Sequence, residues 1–173
     1  KSEKRGDWYL EYESLLTMAD TVKFDGRYRV NGVRHFNKPY SSIGKTDMTA
    51  AMAKELSLRG TCLAVARTAP LSWGIARDLY KDMNMLSDTQ SGYENICLVQ
   101  RYLADEMGRD FELIKMLDKG IGVHNAGLPD DVKSLMEWLA EEGCLRVLCA
   151  TTTIAQGINF PVSSVLLQSI SMP

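Results

Sequence analysis

Gly44-Lys45-Thr46, in the stretch "SSIGKTDMTAAMAKEL", have the order in which a phosphate-binding loop ends. The complete loop is G-x-x-x-x-G-K-[ST], because a glycine-rich turn must wrap backbone N–H groups around phosphate oxygens before the lysine and the hydroxyl act. Five residues ahead of Gly44 stands Pro39, which has a fixed φ and no N–H to donate. The segment that should feed the loop as a strand, "GVRHFNKPY", is short of β-branched residues. Two readings of the tripeptide follow. One is a small kinase-like or GTPase-like nucleotide-binding protein using Lys45 and Thr46. The other is a helix N-cap with a coincidental lysine. The first also needs an acidic Mg2+ site, and the sequence offers no candidate for it.

Three further stretches carry hydroxyls, amides and few bulky groups: "ARTAP" at 66–70, "HNAGL" at 124–128 and "ATTTIAQGINFP" at 150–161. Threonines and the free N–H groups of a helix start suit phosphate oxygens. The same residue types also cap helices in ordinary strand-to-helix connections. Metal chemistry has little to work with. Cys62, Cys97, Cys144 and Cys149 lie in apolar segments without C-x-x-C spacing, and only His35 and His124 add nitrogen ligands. The cysteines read as buried free thiols in a reducing, intracellular compartment, and no metal site is expected.

The elements that must position these stretches follow from periodicity. Met48, Met52 and Leu56 recur every four residues on one helical face, and Gly60 supplies a stop. "TCLAVA" (61–66) is nearly all apolar, as a strand buried on both faces should be. Helical patterns follow over 71–82, 93–107 and 111–117, with a short strand "IGVH" at 121–124. The next helix has an apolar stripe of Leu128, Val132, Leu135, Met136 and Leu139. Pro129 suits its first position, Asp130 and Asp131 its positive end, and Gly143 its stop. "LRVLCA" and "SSVLLQSI" read as two more strands, and Cys149 and Trp138 as core. Strand–helix alternation predicts an open, mainly parallel sheet with helices on both faces, whose ligands sit beyond the carboxyl ends of the strands. Ahead of it, Asp25-Gly26 and Asn31-Gly32 are two-residue turn dipeptides amid Val, Phe and Tyr, and predict a small hairpin appendage.

Composition limits the partners. The 173 residues suit one domain with an appendage; 45% are apolar and 24% charged, as in ordinary globular proteins. A formal charge of −2 gives no global pull toward nucleic acid, so any such contact must be local. No apolar run reaches membrane-spanning length, and no membrane partner is expected.

Residues 120–167 resemble the second RecA-like domain of superfamily 2 nucleic-acid helicases, and in particular the Ski-type DExH-box group. The resemblance rests on His124, Ala126, Gly127 and Leu128 before a helix, and on a strand running into Ala150, Thr151, Thr153, Ala155, Gly157, Asn159 and Pro161. It covers about residues 120–170 and extends more loosely back to Thr46. It implies that Thr151 and Thr153 hold phosphates of one strand, with His124, Asn125 and Gly127 as a second backbone-contact segment and Arg67 and Thr68 as a third. It implies that Gly157 and Asn159 approach ATP bound between two RecA-like domains. Lys45 and Thr46 fall outside the family's nucleotide-binding loop.

The same resemblance marks what these residues lack. The P-loop and the Asp-Glu box belong to the family's first domain, no "DExH" occurs here, and "SISMP" ends before a final arginine motif. An arginine finger alone contributes ~10³–10⁵ in rate.

The expectation is therefore an α/β fold: a RecA-like three-layer domain at 46–173, truncated before that motif, behind an arm and hairpin at 1–45. Its function would be that of the second motor domain of an ATP-dependent helicase. It would grip the backbone of DNA or RNA and close on ATP and Mg2+ held mainly by a missing first domain, so that this piece alone is inactive. A degenerate RecA-like docking module, using Trp8, Tyr9 and Leu10, is the alternative.

Overall fold

Short apolar runs, most of them separated by helical periods, settle into a parallel sheet. The structure, a computed structural model, describes residues 9–14, 24–29, 43–155 and 161–169, and divides into two compact units, Lys1–Ser42 and Ile43–Pro173.

In the first unit, β1 (Tyr9–Ser14) pairs antiparallel with β2 (Phe24–Arg29), Tyr9 opposite Arg29 and Ser14 opposite Phe24. The expected antiparallel pairing is present, but the turn expected at Asp25-Gly26 is not. Asp25 and Gly26 stand inside β2, opposite Glu13 and Tyr12, and form no turn. A turn at that dipeptide would leave Phe24 opposite Arg27, whereas the observed register lets six residues of each strand pair. Asn31-Gly32 lies outside the described residues.

The second unit opens with α1 (Lys45–Leu56), closed by a 3₁₀ turn, Ser57–Arg59, and by Gly60 at φ +131°. Then come β3 (Cys62–Ala66), α2 (Ala69–Asp82), α3 (Tyr93–Met107), α4 (Glu112–Leu117), β4 (Ile121–His124), α5 (Asp130–Glu141), β5 (Val147–Thr151), a 3₁₀ turn Thr152–Ala155 and β6 (Ser164–Leu167). The four strands form one all-parallel sheet in the order β4-β5-β3-β6. β5 is wholly buried and β3 nearly so. Edge strand β6 exposes Val165 and Leu167.

Helices cover both faces. His124 reaches Glu137 of α5, and the next residue, Asn125, reaches Ser72 of α2. Successive residues of extended chain point to opposite sides, so α5 and α2 flank the sheet. α1 differs from expectation in which face it buries. Thr49, Ala50 and Ala53 are inside, while Met48 is exposed. The cause is close approach: a Cβ on Gly74 of α2 would stand 3.4 Å from the Thr46 methyl of α1, leaving room only for small side chains between the two helices. No helix among the described residues is long and apolar enough to cross a membrane.

Three of the four free thiols, Cys62, Cys144 and Cys149, are buried, and Cys97 is half-buried. Burial pushes the Cys62 thiol from 9.0 up to about 12 and raises Cys144 and Cys149 as well. A thiol-specific reagent at neutral pH should therefore modify Cys97 first and the other three only on unfolding; fast modification of Cys62 or Cys149 in the native state would contradict this burial. The sign of the pH effect follows from the raised values. The unfolded chain gives up these protons first, so stability is intact below about pH 9 and declines as pH climbs toward 12.

Candidate nucleic-acid interface

Parallel register brings the ends of the strands level. Ala66 pairs with Thr151 and His124 with Ala150, while Val65 pairs with Leu167. The loops "ARTAP", "HNAGL" and "ATTT" therefore leave the sheet side by side along its carboxyl edge. Asn159 and Gly157 lie outside the described residues.

Each loop presents different chemistry. After β3, Arg67 and Thr68 are exposed. Thr68 caps α2 through its backbone carbonyl, which accepts from the N–H of Leu71 at 3.1 Å and of Ser72 at 3.0 Å; its hydroxyl makes no cap bond. With Pro70 early and no acid in its first turn, α2 leaves its positive end open beside the Arg67 guanidinium.

After β4, His124 and Asn125 turn inward. His124 is 5% exposed and its Nε2 lies 2.7 Å from Glu137 Oε1, while Nδ1 has no partner. Asn125, 1% exposed, donates from Nδ2 to Ser72 Oγ at 3.2 Å, and its Oδ1 accepts from the Gly127 N–H at 3.0 Å. The loop is thus an Asx turn whose outer surface is Ala126 and Gly127. Of the three residues expected to touch a strand here, only Gly127 is exposed; His124 and Asn125 are buried against Glu137 and Ser72.

After β5, Thr151 is buried and Thr152 half-buried, and Thr153 follows in the 3₁₀ turn.

The other two helix starts at this edge carry acids. At α1, the Asp47 carboxylate accepts from the Gly44 N–H at 2.9 Å, placing negative charge where a P-loop would need phosphate. At α5, Asp130 pairs with Lys133 at 2.6 Å. The Asp131 carboxyl is held below its ordinary range by a hydrogen bond from the Tyr102 hydroxyl, then by the N–H of Val132. The cleft beside His124, about 430 Å³, is lined by Ala126, Asp130, Lys133, Ser134 and Glu137, two acids to one base. A second cleft, about 160 Å³, is lined by Lys45, Thr46, Arg67, Leu71, Gln168 and Ser169, two bases and no acid. Among the described residues no three His, Cys, Asp or Glu side chains gather to hold a metal.

Ser72, Glu137 and Gln168 were not expected from the sequence. Each acts through a partner 13 to 122 residues away, so no local pattern signals it.

No family model matches the chain. Among curated proteins, the antiviral helicase SKI2 of Saccharomyces cerevisiae is 46% identical over 55 residues, 32% of this chain and 4% of the relative. The ATP-dependent DNA helicase homolog MER3 of Arabidopsis thaliana is 38% identical over 66 residues, 38% of this chain and 6% of the relative. The DExH-box ATP-dependent RNA helicase DExH14 of Arabidopsis thaliana is 30% identical over 105 residues, 56% of this chain and 5% of the relative. The chain spans only 4% to 6% of the length of these relatives. Over a short region it is similar to Ski2-type DExH-box helicases, and its all-parallel α/β sheet is consistent with a RecA-like domain.

Proposed function

We propose that this chain is the second RecA-like motor domain of an ATP-dependent nucleic-acid helicase and grips one strand by its phosphates. The observation that carries the reading is the level carboxyl edge, where Ala66 pairs with Thr151 and His124 with Ala150, so that three loops of phosphate-binding composition adjoin. Arg67 would supply charge, Thr68 and the open end of α2 would supply hydroxyl and N–H donors, and Gly127, Thr151 and Thr153 would continue the line. His124 and Asn125 would hold the second loop in shape. Such a grip reads no bases, which suits a motor that must move along any sequence.

ATP and Mg2+ would be held mainly by a first RecA-like domain, with Gly157 and Asn159 approaching the nucleotide from this side. Bound there, ATP supplies the closing and reopening of the cleft that moves the strand. What supports this placement is that the Gly44 N–H is already taken by Asp47 and that the cleft beside Lys45 is lined by two bases and no acid. Buried free thiols suit an intracellular, reducing setting.

The test is anisotropy of a labelled single-stranded oligonucleotide over a range of salt. Arg67→Ala should weaken binding severalfold and equally on unrelated sequences, with the slope of log affinity against log salt reduced by about 0.7. Binding indifferent to salt and to Arg67 would sink the reading.

A further inference from the structure

The G-K-T tripeptide has no role in the proposed grip, yet the fold brings it to the same edge. Gln168, 9% exposed, donates from Nε2 to Thr46 Oγ1 at 2.9 Å and from its backbone N–H to the Val65 carbonyl at 2.9 Å. That pair of bonds ties the head of α1 to the ends of β3 and β6. Lys45 and Arg67, far apart in sequence, consequently line one cleft with Thr46, Leu71, Gln168 and Ser169. Both cations are exposed, and among the described residues neither side chain has an ion pair or hydrogen bond. The nearest acid in sequence, Asp47, is turned to the Gly44 N–H. Two like charges facing a small cleft repel unless an anion lies between them.

We propose that Lys45 and Arg67 clamp one phosphate of the polynucleotide strand in this cleft, so that the lysine of the G-K-T tripeptide is a strand contact. This rests on the strand-gripping reading above and adds a site to it. A phosphate group is the shared chemistry of two sources, a strand phosphodiester and the tail of ATP, and the site favours the strand. A volume of about 160 Å³ is enough for a phosphate group. Of the backbone N–H groups that an ATP cradle requires, that of Gly44 is already taken by Asp47. The cleft also adjoins Arg67, the first residue of a strand-facing loop.

The experiment compares the whole chain with Lys45→Ala, Lys45→Arg, Arg67→Ala and the Lys45→Ala/Arg67→Ala double variant. The readouts are oligonucleotide anisotropy across salt and calorimetry with ATP and Mg2+. Lys45 is exposed, so unchanged thermal unfolding checks that each variant folds. Lys45→Ala should weaken oligonucleotide binding about three- to tenfold and lower the salt slope by about 0.7, with Lys45→Arg restoring both. Because the two cations share one phosphate, the double variant should lose less than the product of the single losses. ATP binding should be the same with and without the lysine. Wild-type affinity and slope in Lys45→Ala, alongside a loss in Arg67→Ala, would overturn this site and leave the strand grip standing. Absence of oligonucleotide binding in every form would overturn both. Loss of ATP binding in Lys45→Ala with unchanged oligonucleotide binding would overturn the site in favour of a nucleotide loop.

Discussion

Gly92→Ala should cost about 3 kcal/mol of folding stability, although the residue touches no part of the carboxyl edge. Gly92 caps α3 at φ +83° and ψ 0°, and its carbonyl accepts the Ile96 N–H at 3.2 Å. A side chain in that left-handed conformation costs about 1–2 kcal/mol. A Cβ there would also stand 2.4 Å from Cys144 Sγ and 3.3 Å from its Cβ. Cys144 has little freedom to retreat, because its N–H donates to the Leu139 carbonyl at 2.9 Å at the end of α5. Relieving the clash therefore means moving a buried turn, which adds about 1–3 kcal/mol. Removing the sulfur separates the two contributions. In a Cys144→Ala background the same glycine change should cost only the conformational share, leaving a coupling of about 1–2 kcal/mol in a double-mutant cycle read by denaturant unfolding. Equal costs in both backgrounds would show that the sulfur contact is not the cause.

Much of the parallel unit was legible because burial on both faces demands near-uniform apolar strands. "CLAVA", "IGVH" and "VLCAT" form strands with no exposed position between them. α3 and α5 were legible because each carries a stripe at helical spacing and ends beside a glycine of positive φ, Gly108 and Gly143. Two features were not. The inward face of α1 is set by its approach to α2 around Gly74, and a methionine at four-residue spacing carries no information about that distance. Asp25-Gly26 has the composition of a turn, but pairing with β1 absorbed it into a ladder. Local propensity lost there to long-range hydrogen bonding.

The candidate interface was legible as a location more than as a set of roles. Loops of Thr, Gly and Asn after parallel strands must emerge at one edge, and the register of β3, β4 and β5 brings them level. Which side chains turn outward depends on partners the sequence does not reveal. His124 turns to Glu137 and Asn125 to Ser72, so these two are held inside while the small residues after them, Ala126 and Gly127, face solvent. Thr46 depends likewise on Gln168, 122 positions away.

Asn125→Ala should therefore weaken oligonucleotide binding about tenfold without this side chain ever touching the strand. Its Oδ1 fixes the Gly127 N–H and its Nδ2 fixes the loop to α2 through Ser72, so truncation releases the turn at both ends. The stability cost should stay near 1–2 kcal/mol. Gly127 is exposed and its freed N–H can bind water, and Ser72 Oγ still donates to the Ala69 carbonyl at 2.8 Å. A loop left to sample many conformations must be ordered on binding, which is where the affinity goes. Amide exchange separates this positioning role from direct contact: Gly127 should lose protection in Asn125→Ala before any oligonucleotide is added. Asn125→Asp sharpens the distinction. Its carboxylate keeps the acceptor for Gly127, so protection should persist, but it adds negative charge behind a surface proposed to meet phosphates. Its binding should fall most at low salt and approach wild type as salt screens the repulsion. If Asn125→Ala loses the Gly127 protection but keeps the affinity, the ordered loop is not part of the grip. The grip would then have to reside on Arg67, Thr68 and the threonines after β5 alone.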